Sequence, residues 1–360
     1  MSQAYNFSAG PSMLPESVLK EVQQELLCYK DTKVSIIEMS HRSEAFMQLA
    51  NEAKQDLKDL MNIPDDYKIL FLQGGASAQF SMIPMNLLQD KTKASYVLSG
   101  HWSQKAITEA KRFCDVNICT DSSENKFTDI QDFNNWQIDE NSAYLHFADN
   151  ETIAGLEFDY VPEVEMPLVC DMSSNILSKE IDVSKFGMIY AGAQKNIAPA
   201  GMTIVIIKKS LMHDNLMAKA PYLYSYKAQY DNDSMFNTPV TFSWYVAAKV
   251  FKWLKNNGGL SAMEIVNKRK ATKLYQAIDN SDFYHNPVAL KYRSKMNIPF
   301  ILADDNLNDL FLEQAFSENL VALKGHKSVG GMRASIYNAM PEEGVDALIK
   351  FMKDFEKKYG

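Results

Sequence analysis

The pattern of apolar and polar residues divides the chain into two parts. Up to about residue 210, helical stretches such as SVLKEVQQELLCY and AFMQLANEAKQDLKDLMNI alternate with short apolar runs. YKILFLQGGASAQF indicates a strand, a glycine turn and a helix. Six more runs have the length of strands: ASYVLSG, VNICT, AYLHFA, MPLVCD, GMIYAG and TIVIIK. This alternation favours a mostly parallel sheet that is covered by helices on both faces.

After Lys209 the pattern changes to long helical stretches, TFSWYVAAKVFKWLKNNGG and SAMEIVNKRKATKLYQAIDN. The tail that follows contains strand-like NIPFILAD and RASIYNAM and helical LFLEQAFSENL and VDALIKFMKDFEKKY. We place a boundary at Gly258 and Gly259. The predicted fold class is α/β, with a large domain built on a mostly parallel sheet (16–258) and a smaller C-terminal α+β domain (259–360).

Composition narrows the range of functions. The 360 residues, 46% of them apolar, can bury a large core, and 45 acidic residues against 37 basic ones give a net charge of −8. That charge has the wrong sign for a surface that binds nucleic acid or an anionic membrane. The four cysteines, Cys28, Cys114, Cys119 and Cys170, lack CxxC spacing, so we expect buried free thiols in a reducing cytoplasm and no metal site. No signal peptide or membrane span is predicted.

A single lysine stands out in YAGAQKNIAPAGMTIVIIKK, because Lys195 lies between two apolar runs among small residues. An arbitrary lysine is usually exposed, and Asp171 at the end of MPLVCD could simply cap a helix. A pyridoxal phosphate site, however, needs a lysine that forms a Schiff base and a carboxylate that holds the pyridinium nitrogen. QGGASAQF offers a phosphate cradle of backbone amides at a helix start, and Trp102 could stack on the ring.

Eleven blocks carry a resemblance to a known family. They are NFSAGPSMLP, EMSHRSEAF, LFLQGGASAQF, SGHWSQKA, NETIAGLEF, DMSSNILS, YAGAQKNIAPAG, SMFNTPVTFSWY, NNGG, MNIPF and LKGHKSVGGMRASIYNAMP. With these blocks in family order, the chain resembles the phosphoserine aminotransferases. These are class V, fold type I pyridoxal phosphate enzymes. The resemblance covers nearly the whole chain. It implies a fold type I transferase in which residues 1–15 pack with the small domain.

The resemblance also implies roles for the cofactor-binding residues. Lys195 would form the Schiff base and move the proton, and Asp171 would keep the ring nitrogen protonated. Trp102 would stack on the ring and Thr152 would bond its phenolic oxygen. The phosphate contacts would come from Ala76, Ser77 and Gln194, and from Asn237 and Thr238 of a neighbouring subunit. The family pattern therefore implies a homodimer with shared active sites.

For substrates, the resemblance assigns Arg333 to the α-carboxylate, which an arginine grips with two parallel hydrogen bonds. His41, Arg42, His326 and Lys327 would surround the second anion of phosphoserine or glutamate, and Trp102 would be a further substrate-binding residue. Without the family context, Arg333 could pair with a surface carboxylate and each histidine could be structural. Two positions depart from the commoner family pattern, because Ser77 and Lys327 stand where many members have arginine. A lysine keeps the charge but loses the planar fork.

The implied reaction moves the amino group of L-glutamate to 3-phosphohydroxypyruvate, and yields O-phospho-L-serine and 2-oxoglutarate by way of pyridoxamine phosphate. A side activity on the phosphorylated 2-oxo acid of pyridoxine biosynthesis is a further expectation. Two alternatives remain. A cysteine desulfurase of the same class needs a mobile cysteine, usually after the lysine, but all four cysteines precede Lys195. A cofactor-binding regulator or scaffold without turnover would not need Lys195, Asp171 and Arg333 together.

Overall fold

The computed structural model describes residues 4–360. Its helices are α1 (Glu16–Glu25), α2 (Glu44–Leu60), α3 (Gly75–Leu87), α4 (His101–Ala110), α5 (Tyr226–Asp231), α6 (Thr241–Asn256), α7 (Gly259–Asp279), α8 (Asn308–Ser317) and α9 (Glu342–Tyr359). Its strands are β1 (Tyr5–Asn6), β2 (Tyr67–Gln73), β3 (Lys93–Leu98), β4 (Asp115–Asp121), β5 (Leu145–Ala148), β6 (Asn150–Glu151), β7 (Leu156–Glu157), β8 (Leu168–Asp171), β9 (Met188–Gly192), β10 (Met202–Lys208), β11 (Tyr284–His285), β12 (Asn297–Leu302), β13 (Leu320–Val321) and β14 (Met332–Ser335).

A seven-stranded sheet forms the centre of the molecule, in the order β2-β10-β9-β8-β5-β3-β4. The neighbours from β9 to β4 are parallel, whereas β10 is antiparallel to both β9 and β2. This confirms the predicted mostly parallel α/β sheet. β9 and β10 are joined by a short loop that contains Lys195, and a connection of that length can only return antiparallel.

The first helix is shorter than its periodicity predicts. The pattern extends to Tyr29, but α1 ends at Glu25. Leu27 is 85% exposed and Cys28 is also exposed, so no apolar surface covers a further helical turn. The expectation of buried cysteines is therefore wrong for Cys28, while Cys119 and Cys170 are buried.

A second, three-stranded sheet in the order β11-β12-β14 supports a separate apolar core with α8, α9 and the later turns of α7. The early α7 residues Leu260 and Met263 instead pack in the core of the central sheet. The proposed boundary near residue 258 thus precedes a helix that contacts both cores. The domain limits remain a prediction.

The N-terminal segment crosses the molecule. β1 pairs in parallel with β13, and Phe7 is completely buried in the second core. Further along, Ser12 N donates to Gln194 O at 3.0 Å, and the Ser12 hydroxyl donates to Lys195 O. The segment therefore ties the second core to the Lys195 loop. Residues 1–3 of the predicted segment 1–15 lie outside the described residues.

Among residues 4–360, none of the helices has the length and apolar character that crossing a membrane requires.

Candidate active site

The predicted cofactor residues gather at one edge of the central sheet. Four strands end at this edge. β2 leads to α3 and β3 leads to α4, while β8 ends in Asp171 and β9 leads to the Lys195 loop. The carboxyl ends of parallel strands form the usual ligand crevice of α/β sheets. The hairpin β6–β7, which follows β5, adds Thr152 from the same edge.

Lys195 is buried, with 8% of its surface exposed, so the surface-lysine interpretation is wrong. Its Nζ donates to Thr152 Oγ1 at 2.5 Å and lies 5.7 Å from the centre of the Trp102 ring. Burial lowers the pKa of Lys195 to about 8, although the charges of Asp171 and Glu151 act to raise it. A substantial fraction of the amine is therefore neutral near pH 7.5, and a neutral amine can accept a proton.

Asp171 ends β8 and is 7% exposed. Its Oδ1 accepts a hydrogen bond from Ser173 N at 2.8 Å, so one oxygen does cap the turn that follows. The capping interpretation and the cofactor interpretation are compatible here, because a carboxylate has several acceptor positions. The negative charge also acts on Lys195, as the raising effect on the lysine pKa shows.

The glycine turn forms an open helix start. Gly74 has φ +94°, which a glycine adopts without strain, and α3 begins at Gly75 without a side-chain cap. The first amides of α3, up to Ser77, have no partner within the helix and can hold an anion. A Cβ on Gly192 would lie 2.8 Å from Gln194 Oε1 and 3.4 Å from Ala76 Cβ. The lysine loop and the glycine turn are thus in close proximity.

Asn237 and Thr238 lie beside this turn within the single chain. Gln73 Nε2 donates to Asn237 Oδ1 at 3.2 Å and to Thr238 O at 2.7 Å. Both residues are exposed.

Arg333 joins the same site from β14. Its Nη1 donates to Thr152 O at 3.3 Å, and its buried Nε has no hydrogen-bond partner in residues 4–360. Within that part of the chain Arg333 forms no ion pair, so it does not serve as a surface partner for a carboxylate. A half-buried guanidinium with a free donor is suited to an incoming carboxylate.

His326 and Lys327 lie near Arg333, and so do His101 and Lys105, to which the sequence motifs assigned no role. The His101 ring is 6.0 Å from that of His326, and the Lys105 ammonium is 4.3 Å from the centre of the Trp102 ring. The buried Nδ1 of His101 has no partner among the described residues. Both residues stand in the block SGHWSQKA, four positions apart, so they lie on the same face of α4. This spacing could have indicated from the sequence that the two side chains share a site.

His41 and Arg42 lie in the loop before α2, and the Arg42 side chain is exposed. Within residues 4–360, neither side chain forms a hydrogen bond or an ion pair with the groups around Lys195. The single chain thus brings most of the predicted residues together, but within its described residues this pair makes no polar contact with them.

These groups match the requirements of pyridoxal phosphate. The site has a buried amine with a lowered pKa, a carboxylate, an indole ring whose buried Nε1 lacks a partner in the described chain, and uncapped helix amides. Each corresponds to one part of the cofactor: its aldehyde carbon, ring nitrogen, aromatic ring and phosphate.

Comparisons with known proteins show the family and the fold of the chain. The model of the family Aminotransferase class-V matches residues 4–348. Phosphoserine aminotransferase of Ruthia magnifica subsp. Calyptogena magnifica is 65% identical over 358 residues, which cover 99% of each chain. The structure of phosphoserine aminotransferase from Bacillus circulans subsp. alkalophilus is 43% identical, covers 99% of each chain and has a TM-score of 0.97. The pyridoxal-phosphate-bound enzyme from Trichomonas vaginalis is 41% identical, with a TM-score of 0.95 over 98% of this chain and 100% of that one.

Proposed function

The chain belongs to the Aminotransferase class-V family, and from that premise we infer that it is a pyridoxal-phosphate-dependent phosphoserine aminotransferase. It transfers the amino group of L-glutamate to 3-phosphohydroxypyruvate and gives O-phospho-L-serine and 2-oxoglutarate. The observation that carries this inference is the buried Lys195 beside Asp171, with Arg333 and further basic groups unpaired nearby.

Pyridoxal phosphate, when bound, supplies the electron sink that makes the substrate α-carbon acidic. We assign Lys195 Nζ the covalent attachment and then, once substrate has freed it, the transfer of the proton between the substrate α-carbon and C4′ of the cofactor. Asp171 would stabilise a protonated ring nitrogen, and Trp102 would cover one face of the ring and exclude water from it. Ala76, Ser77 and Gln194 would hold the phosphate, and Thr152 would bond the phenolic oxygen.

The basic residues define substrate choice in this proposal. Arg333 would hold the α-carboxylate, since its guanidinium is half-buried and forms no ion pair in the described chain. His326 and Lys327, with His101 and Lys105 close by, would receive the distal phosphate or carboxylate. Lys327 cannot form the two parallel hydrogen bonds of an arginine. The neighbouring His101 offers the pocket a further hydrogen-bond donor, which would compensate for this loss.

A coupled assay tests this substrate choice. Glutamate with 3-phosphohydroxypyruvate should give turnover at least about a hundredfold faster than glutamate with pyruvate, glyoxylate or oxaloacetate, because only the phosphorylated acceptor fills the distal pocket. Equal rates with glyoxylate would contradict the proposed substrate while leaving the aminotransferase chemistry intact. The assay also ranks the phosphorylated 2-oxo acid of pyridoxine biosynthesis, which we propose as a side substrate.

We also propose a homodimer in which Asn237, Thr238, His41 and Arg42 serve the partner's site. The exposed rings of Tyr222, Tyr224 and Phe236 flank Asn237, with the Tyr222 and Phe236 rings 5.8 Å apart. Clusters of exposed aromatic residues are typical of protein interfaces. A second subunit at this surface would cover the rings and bring its own loop towards the glycine turn.

Mixed dimers test the sharing of sites. Lys195→Ala and Arg42→Ala are prepared as separately inactive proteins, then unfolded and refolded together in equal amounts. Half of the dimers are mixed, and if the residues come from different chains, half of their sites are intact. Activity should then recover to about a quarter of the wild-type value. If no activity returns although mixed dimers are present, both residues serve the site of their own chain.

A cytoplasmic location completes the proposal. All four cysteines are free, and burial raises the pKa of the Cys119 thiol to about 12, which keeps it protonated and unreactive. Free thiols of this kind suit a reducing compartment. For the desulfurase alternative, burial likewise raises the pKa values of Cys114 and Cys170, so neither is an activated nucleophile.

A further inference from the structure

Glu151 is a completely buried carboxylate at the edge of the site, and it caps the helix that carries Trp102. Its Oε2 accepts a hydrogen bond from Trp102 N at 3.0 Å, and its Oε1 accepts from Ser103 N and Ser103 Oγ, each at 2.8 Å. Three donors therefore converge on one buried carboxylate. Gly100, the N-cap residue of α4, has no side chain to offer, and the remaining cap is the Ser103 hydroxyl, which accepts from Ser99 N at 3.0 Å and Gly100 N at 2.9 Å.

The fit around this carboxylate is close. A Cβ on Gly100 would overlap the Glu151 carboxyl group, so a glycine is required for the approach of β6 to α4. Burial raises the pKa of Glu151, and the amides of Ser103 and Trp102 oppose that effect. A carboxylate at a helix N-terminus also gains from the helix dipole.

Glu151 connects two parts of the site. Along the chain it is followed by Thr152, whose hydroxyl accepts from Lys195 Nζ and whose carbonyl accepts from Arg333 Nη1. Through its side chain it fixes the backbone of Trp102. Glu151 therefore links the backbone of Trp102 to the residue that bonds the lysine amine.

We propose that Glu151 is a positioning residue of the transamination site, which holds the Trp102 ring in register with Lys195 and Thr152. This inference rests on the proposed function, because it assigns Trp102 to the cofactor ring. Loss of the carboxylate would leave the fold in place but allow α4 to shift relative to the β6–β7 hairpin.

The hairpin itself supplies a matched control. Glu157 pairs with Asn150 across the hairpin and is 3% exposed, but its carboxylate bonds Lys179 and the Lys295 amide on the side away from Trp102. Glu151→Gln and Glu157→Gln thus remove the same charge from the same element. In Glu151→Gln the new amide group would face the backbone donors of α4, so at least one of them loses its acceptor.

The test uses purified holoenzymes and reads the cofactor directly. We expect Glu151→Gln to weaken the visible circular dichroism of the bound cofactor, to release the cofactor about tenfold faster, and to lower kcat more than it raises KM for glutamate. Glu157→Gln should lower the thermal midpoint but keep the wild-type dichroism and release rate. The proposal is overturned if the two variants have the same dichroism and release rate.

Ser103→Ala provides a second variant in case Glu151→Gln does not fold. It keeps the carboxylate but removes one of its three donors, together with the hydroxyl that accepts from Ser99 N and Gly100 N, so it should change the dichroism and release rate in the same direction. Wild-type values in Ser103→Ala, together with an insoluble Glu151→Gln, would also overturn the proposal. Because cofactor dichroism and release need no substrate, a failed assay with 3-phosphohydroxypyruvate would contradict only the proposed substrate.

Discussion

Two buried lysines, Lys195 at the edge of the central sheet and Lys270 in α7, have similar burial but different surroundings. Lys270 is completely buried and donates to the carbonyls of Ile336, Tyr337 and Met340 at 3.2, 2.8 and 3.0 Å. Lys195 has one hydrogen bond, to a hydroxyl. Burial lowers the pKa of Lys270 to about 7 and that of Lys195 to about 8.

The comparison shows that a lowered lysine pKa reports burial and does not by itself identify a catalytic group. The groups that surround each lysine distinguish the structural residue from the catalytic one. Three carbonyl oxygens of the turn that precedes α9 surround the Lys270 Nζ, so the side chain holds that turn together. Lys195 faces a carboxylate, an indole ring and an unpaired guanidinium, and it retains donor capacity for chemistry.

The largest expected effect comes from Lys195→Ala. Turnover should fall by at least about a thousandfold, because the group that moves the α-proton is gone. Cofactor should still bind, but borohydride should no longer fix it to the peptide that contains residue 195. Mass spectrometry of the borohydride-reduced peptide measures the covalent attachment, and the coupled assay measures turnover. Normal turnover in this variant would remove the distinction between the two lysines.

Lys270→Met is the reciprocal change. It leaves three buried carbonyls without their donor, and unfolding free energy should drop by about 3 kcal/mol, as measured by urea titration. Turnover per folded holoenzyme should stay near the wild-type value. If instead activity disappears while stability is retained, Lys270 belongs to the chemistry and the comparison fails.

His326→Asn sharpens the comparison at the distal pocket, where burial and the neighbouring basic groups lower the pKa of the His326 imidazole. Phosphoserine binding to the holoenzyme should weaken about tenfold, while alanine binding changes little, because only phosphoserine presents a dianion to the distal pocket. Spectroscopic titration with the two amino acids measures the ratio. His285→Asn, an exposed change in β11, serves as the control, and equal losses for both amino acids would make His326 structural.

The smallest effect concerns pH. The ordinary lysine pKa of 10.5 is lowered in the folded protein, so between about pH 7 and 10.5 the unfolded chain binds more protons at residue 270. The stability of the protein should therefore rise with pH in this window. In Lys270→Met the slope of the unfolding free energy against pH should be smaller by about 1 kcal/mol per pH unit between pH 7.5 and 9. Urea titrations of wild type and variant that give the same slope would contradict this assignment.

Local patterns explain which parts of the site the sequence could predict. The strand, turn and helix around Gly74, and the apolar runs that end at Asp171 and precede Lys195, are short-range signals, and the structure reproduces them. The β6–β7 hairpin has only two residues in each strand, too few for a recognisable period.

Contacts between residues far apart in the sequence could not be predicted, because no local pattern indicates them. Glu151 meets α4 across 49 positions of the chain, and Lys270 meets its carbonyls across 66 to 70 positions. Neither partner can be inferred from residue type, since glutamate and lysine are usually exposed. The family resemblance supplied the roles of residues such as Arg333, because its motif specifies positions that physical periodicity does not.

The link between Ser12 and the Lys195 loop has a consequence for the order in which the protein matures on the ribosome. Ser12 is made long before Lys195, and the segment that carries it is held by β13, which is synthesised later still. Domains generally fold from the N-terminus as they emerge. Here the support of the lysine loop must wait until residues 320–321 have left the exit tunnel. We therefore expect a nascent chain that stalls before that point to lack the β1–β13 pairing that holds the Ser12 segment beside the lysine loop.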